Sequence, residues 1–194
     1  MTSALWHAVF GNDRPVEIEI GPGRGDVLLA FATADPTTNY FGIEIRRGSA
    51  DALTARIADA GLTNCRVVGG DARCIVEHLV PRQSVRAYHA YFPDPWPKTR
   101  HRGRRLFQPG LAAALARSLE SQGTVHVASD LRWVFDAMCT ELDSSGFEAV
   151  GGRPVRPRPV TKFERKYAGA GTHARSYCWP QAADAGSPSP QKTS

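Results

Sequence analysis

The run Glu19-Ile20-Gly21-Pro22-Gly23-Arg24-Gly25 constrains this chain more than any other stretch, because of what surrounds it. Val16-Glu17-Ile18-Glu19-Ile20 reads as a strand that stops at the first glycine, and a helix is expected from about Gly25 to Thr33. Glycines let the backbone turn sharply and approach a ligand where a Cβ would collide. The same alternation continues. Strands are expected at Tyr40 to Ile45, Cys65 to Val68, Val85 to Phe92 and Thr124 to Ala128. Helices are expected at Arg46 to Ala60, Cys74 to Val80, Gln108 to Leu119 and Leu131 to Leu142, with Gly61 and Pro81 as stops and a late strand from Gly146. Five β-α steps in succession predict an α/β fold, a parallel sheet with helices on both faces. Ligands bind such sheets in the loops at the carboxyl ends of the strands.

At 194 residues the chain suits one domain, expected over residues 1–180. From Gln181 onward it turns to Ala, Ser, Pro and Gly without aromatics, the composition of a disordered tail. Neither an export signal nor an apolar run of membrane-spanning length is visible, so a cytoplasmic protein is expected. Cys65, Cys74, Cys139 and Cys178 form no CxxC pair and the histidines are scattered, so the expectation is reduced, mostly core cysteines and no metal. His89 and His126 lie within strands and read as buried structural residues.

The net charge of +5 favours an anionic partner, and its placement says more. Lys98, Arg100, Arg102, Arg104 and Arg105 crowd one short run with His101 and no acid. Arg153, Arg156, Arg158, Lys162, Arg165 and Lys166 form a second group. Clustered cations of this kind suit a nucleic-acid backbone.

The loop acids refine the ligand. A nucleotide-like ligand fits Gly21, Gly23 and Gly25 between strand and helix. Glu44 closes the second strand, where a carboxylate can hold ribose hydroxyls. Asp71 follows the third, where it can meet an adenine amino group or cap the next helix. Glu19 would repel a dinucleotide's pyrophosphate but suits the cationic sulfonium and ammonium of S-adenosylmethionine.

Phe92-Pro93-Asp94-Pro95-Trp96-Pro97-Lys98, followed by Arg100-His101-Arg102-Gly103-Arg104-Arg105, resembles the signature of the tRNA (guanine-N7)-methyltransferases. The resemblance runs from Glu19 through Ser129-Asp130 to Thr161-Lys162-Phe163-Glu164. It implies a Rossmann-like class I methyltransferase fold, a seven-stranded sheet with an antiparallel last strand. It also implies methyl transfer from S-adenosylmethionine to N7 of a variable-loop guanine in tRNA. By this resemblance Glu19, Gly21, Gly23, Gly25, Glu44, Asp71 and Asp94 would line the donor site, with Asp94 nearest the chemistry. Lys98, Asp130, Thr161, Lys162, Phe163 and Glu164 would contact the substrate. Arg100, His101, Arg102, Gly103, Arg104 and Arg105 would face the RNA. Trp96 is expected to pack beneath the loop. The chain departs from the family pattern in reaching its first strand early, where members carry a longer basic extension, and in the run Arg165 to His173.

Overall fold

The computed structural model describes residues 4–151 and 171–180. Among the described residues, seven strands form one sheet in the order β3-β2-β1-β4-β5-β7-β6. They are β1 (Val16–Ile20), β2 (Asn39–Glu44), β3 (Cys65–Gly69), β4 (Val85–Tyr91), β5 (Leu119–Ser129), β6 (Glu148–Ala149) and β7 (His173–Cys178). The first five run parallel; β7 is antiparallel to both β5 and β6. Both faces of such a sheet are covered by helices, which is why β1 is buried at every position.

The two faces carry different cores. Ile18, Ile20, Ile43, Tyr88, Val125 and Val127 point to one face, under α4 (Ala72–His78), α5 (Leu111–Ser118) and α6 (Arg132–Ser144). The buried stripe Val134, Phe135, Met138, Cys139 and Leu142 gives α6 its helical period. On the opposite face Tyr40, Cys65, Tyr91 and Ala128 meet α2 (Asp26–Ala34) and α3 (Arg47–Asp59). That face also carries a polar row. Buried Glu17 accepts from Arg86 Nη2 at 2.7 Å and lies 3.0 Å from His89 Nε2. The His89 ring stacks on that of His126 at 5.1 Å, and His126 is only half-buried.

Element boundaries moved where turns or packing overrode local pattern. An additional helix, α1 (Ala4–Phe10), precedes β1, pinned by Trp6, whose Nε1 donates to Ser84 Oγ at 3.0 Å. Burying Trp6 and Phe10 contributes roughly 1.5–3 kcal/mol each, enough to order a helix too short to stand alone. The helix expected from Gln108 begins at Leu111, because Pro109 and left-handed Gly110 (φ +100°) hold the preceding turn. β5 begins at Leu119 rather than Thr124, with a register shift against β4 between Val85 and Ala87. Of the cysteines, Cys65 and Cys139 are core residues; Cys74 is exposed, Cys178 half-buried, and none is in a disulfide. Burial, with the Glu19 charge adding to it, pushes the Cys65 thiol up to about 12. No helix among the described residues is long and apolar enough to cross a membrane.

Candidate active site

β1, β2 and β3 lie side by side and in one direction, so the acids near their carboxyl ends are gathered on one edge of the sheet. Glu19 sits on β1, opposite Gly42 of β2 and His89 of β4, with 5% of its surface exposed. Glu44, the last residue of β2, is buried and grips two backbones. Its Oε2 accepts from the Gly23 N–H and its Oε1 from the Arg46 N–H, each at 2.9 Å. A carboxylate has about four lone-pair sites, so both oxygens keep acceptor capacity beyond these bonds.

The glycine loop needs its glycines. Gly23 (φ +54°) and Gly25 (φ +77°) are left-handed, a conformation that costs an L-residue about 1–2 kcal/mol. A Cβ on Gly23 would meet nothing within 4 Å, so the loop's outer side stands open to a ligand. One on Gly25 would strike Leu53 in the core, so this glycine serves packing. The Gly25 N–H closes the turn onto Pro22 O at 2.7 Å, and Arg56 donates to the Arg24 carbonyl.

Asp71 caps α4, accepting from the Arg73 N–H at 2.9 Å, as one of its two expected readings required. The Arg73 side chain also donates to it, from Nη2 at 2.8 Å, and holds its carboxyl below the ordinary range. Arg73 Nη1 reaches the Gly103 carbonyl at 3.2 Å, tying the third acid to the basic run. No side chain caps α6, Asp130 included; just before it the Leu131 N–H donates to Ser129 Oγ at 3.1 Å.

At the end of β4 the Phe92 N–H donates to Ala128 O at 2.8 Å, and the chain then turns outward. Phe92 (φ +51°) and Trp96 (φ +41°) are both left-handed, and Asp94 between them is exposed. Trp96 is half-buried: the His101 ring meets it edge-on at 5.5 Å and the Arg104 guanidinium lies 4.9 Å above it. The basic run forms a 3-10 helix, Thr99–Arg104, that folds over this loop. Lys98, Arg100, Arg102 and Arg104 are exposed; Arg105 is not. Thr161, Lys162, Phe163 and Glu164, with the second basic group, lie outside the described residues. Sequence reasoning missed Arg73 and Trp133 as parts of this neighbourhood. Arg73, two residues after an acid at a helix start, was the one with a local signal.

Strand order, glycine loop and strand-end acids together define a class I S-adenosylmethionine-dependent methyltransferase. A methyltransferase of that dependence from Aquifex aeolicus has the same fold, with a TM-score of 0.60 at 10% identity, over 84% of this chain and 81% of that one. An antibiotic-related methyltransferase matches at 0.61 and 16%, over 89% and 90%. The sequence narrows the class. The Methyltransf_4 methyltransferase family model matches residues 13–176. The tRNA (guanine-N(7)-)-methyltransferase of Hydrogenovibrio crunogenus is 38% identical over 167 residues, covering 83% of this chain and 70% of that protein. That of Nocardia farcinica is 37% identical over 186 residues, covering 89% and 69%. The chain belongs to the tRNA (guanine-N7)-methyltransferase family.

Proposed function

We propose that this protein transfers a methyl group from S-adenosylmethionine to N7 of a guanine in tRNA, the variable-loop guanine being the target. The observation that carries the reading is the convergence of three acids and an exposed Asp94 loop, under a basic 3-10 helix, at one edge of the sheet. The donor, when bound, supplies an electrophilic sulfonium methyl.

The chain's residues fit that donor. Glu44 has acceptor capacity left for ribose hydroxyls beside the open outer side of Gly23. Asp71 meets the adenine amino group, and Glu19 offers negative charge to the sulfonium and ammonium. Gly21, Gly23 and Gly25 bring the backbone close. Guanine N7 bears a lone pair and no proton, so no general base is required. Asp94 accepts hydrogen bonds from guanine N1–H and N2–H and stabilises the positive charge that arrives on the purine. The remaining acceleration comes from alignment of N7 with the methyl group. Lys98, Asp130 and the Thr161 to Glu164 stretch hold the substrate. Arg100, His101, Arg102, Gly103 and Arg104 face the RNA backbone, and the target base is drawn out of its stack before transfer.

Incubating the protein with unmodified tRNA and S-adenosylmethionine, then digesting and weighing the nucleosides, tests this directly. New N7-methylguanosine is expected. Bound donor without that product would refute the proposal. Reversing the charge at Arg102 and Arg104 is expected to weaken tRNA binding; unchanged affinity would point to a smaller substrate.

A further inference from the structure

Four arginines follow the reaction loop, and one of them behaves differently from the rest. Arg105 turns inward. Its Nε and Nη2 both donate to the Trp96 carbonyl oxygen, each at 3.2 Å. Its guanidinium carbon lies 4.7 Å from the centre of the Trp133 ring, on the first turn of α6. Its own backbone is fixed as well: the N–H donates to Arg102 O at 3.1 Å, and the carbonyl accepts from Gln108 Nε2 at 2.8 Å. Asp94, Pro93, Pro95, Arg105 and Trp133 line one small hollow beside the loop.

The loop needs such a tie. Pro93, Pro95 and Pro97 have no N–H, so a loop between Phe92 and Lys98 can donate few backbone hydrogen bonds. Its first end is held by the Phe92 bond to Ala128 O. Trp96, near its second end, sits in a left-handed conformation that persists only where surrounding contacts impose it. Arg105 supplies such contacts. A planar fork can place two donors on one oxygen and stack on an indole at once, which an ammonium cannot.

We infer that Arg105 is a positioning residue for methyl transfer and not a contact to RNA phosphate. It clamps the Trp96 carbonyl to α6 and thereby holds Asp94, two residues earlier in the chain, in its working place. This rests on the methyl-transfer reading given above. Two of its five N–H donors and one face of its guanidinium are committed within the protein, and it is half-buried where Lys98, Arg100, Arg102 and Arg104 are exposed, so it offers a phosphate less than they do.

The test compares Arg105→Lys and Arg105→Ala with Arg102→Ala in the full chain. Three quantities are read: the salt dependence of tRNA binding, kcat at saturating tRNA and donor, and acrylamide quenching of tryptophan fluorescence. Binding of S-adenosylhomocysteine reports that each variant is folded, and the lysine variant decides if the alanine one is not. Arg102→Ala is expected to reduce the slope of log Kd against log salt by roughly 0.7–0.9, the signature of one lost phosphate contact. Both Arg105 variants are expected to keep the wild-type slope, to lose roughly 10²-fold in kcat as a misplaced reaction loop would, and to expose Trp96 and Trp133 to quencher. Wild-type turnover in Arg105→Lys would overturn the inference. So would a shortened slope in Arg105→Ala with kcat unchanged. If the wild-type protein makes no N7-methylguanosine, the functional reading fails by itself. Quenching then still decides the clamp, which an unaltered signal in Arg105→Ala would sink.

Discussion

Gly25→Ala puts a single methyl where the glycine loop meets the core, and its cost can be worked from two separate terms. Gly25 has φ +77°, and an alanine held there bears roughly 1–2 kcal/mol of left-handed strain. Its Cβ would also stand 2.2 Å from Leu53 Cδ1, 3.0 Å from Cδ2 and 3.2 Å from Cγ. Leu53 is 1% exposed and packed in the cluster of Val27, Leu28, Phe31 and Ile57, so it cannot swing aside without moving them. Forcing a methylene-sized group into such a core costs about 1–3 kcal/mol. The expected loss is therefore roughly 2–5 kcal/mol. Gly23→Ala is the internal control: its φ is +54° and its Cβ meets nothing within 4 Å, leaving the strain term alone. Urea denaturation at equilibrium measures both, with an unchanged m-value licensing the comparison. Combining Gly25→Ala with Leu53→Ala should cost less than the two singles summed, because the collision is removed. A Gly25→Ala variant no less stable than Gly23→Ala would refute the reasoning, since the two sites would then differ only in sequence position.

Three further outcomes are expected. Asp94→Ala should lower kcat by roughly 10²–10³-fold with tRNA affinity retained; normal turnover would remove it from the chemistry. Asp71→Ser should keep the α4 cap and the melting temperature, since serine caps as well, while S-adenosylhomocysteine affinity falls roughly tenfold or more in calorimetry. Equal loss of stability and affinity would show the two roles to be one. The Thr37 hydroxyl, then that of Thr38, hold the Asp35 carboxyl at about 2, below its ordinary 3.8. Because the folded value is depressed, the stabilisation is present above the unfolded value and is lost as pH falls through about 2. The stability gap between wild type and Asp35→Asn, followed by denaturant midpoint, should close across that acid window; a gap independent of pH would contradict the assignment.

Much of the site was legible because its parts are local. Glu19 and the glycines share one strand and one turn, Glu44 and Asp71 each close a strand, and the Phe92 to Lys98 run is contiguous. The helix and strand periods of β1 to β4 and α2 to α4 follow from residue spacing, and the structure moves most of their ends by two residues or fewer. α1 carried no such signal: seven residues are too few for a period, and Trp6 and Phe10 became informative only once they met Phe41 at 5.3 and 6.5 Å. Of the two readings of Asp71, the capping one is visible in the bond from the Arg73 N–H, whereas no side chain caps α6.

The sequence by itself determined the alternation of elements, the residues able to carry the chemistry, and the family, because these depend on spacing along the chain. The tertiary structure decided how the charged residues are shared out. Arg86 and His89 answer Glu17 from another strand, and Arg105 leaves the RNA-facing run to bind the Trp96 carbonyl against Trp133. Partners of this kind are far apart in sequence or set by a loop's conformation. A guanidinium's role is fixed by which acceptors the fold brings within its reach, and composition carries no record of that distance.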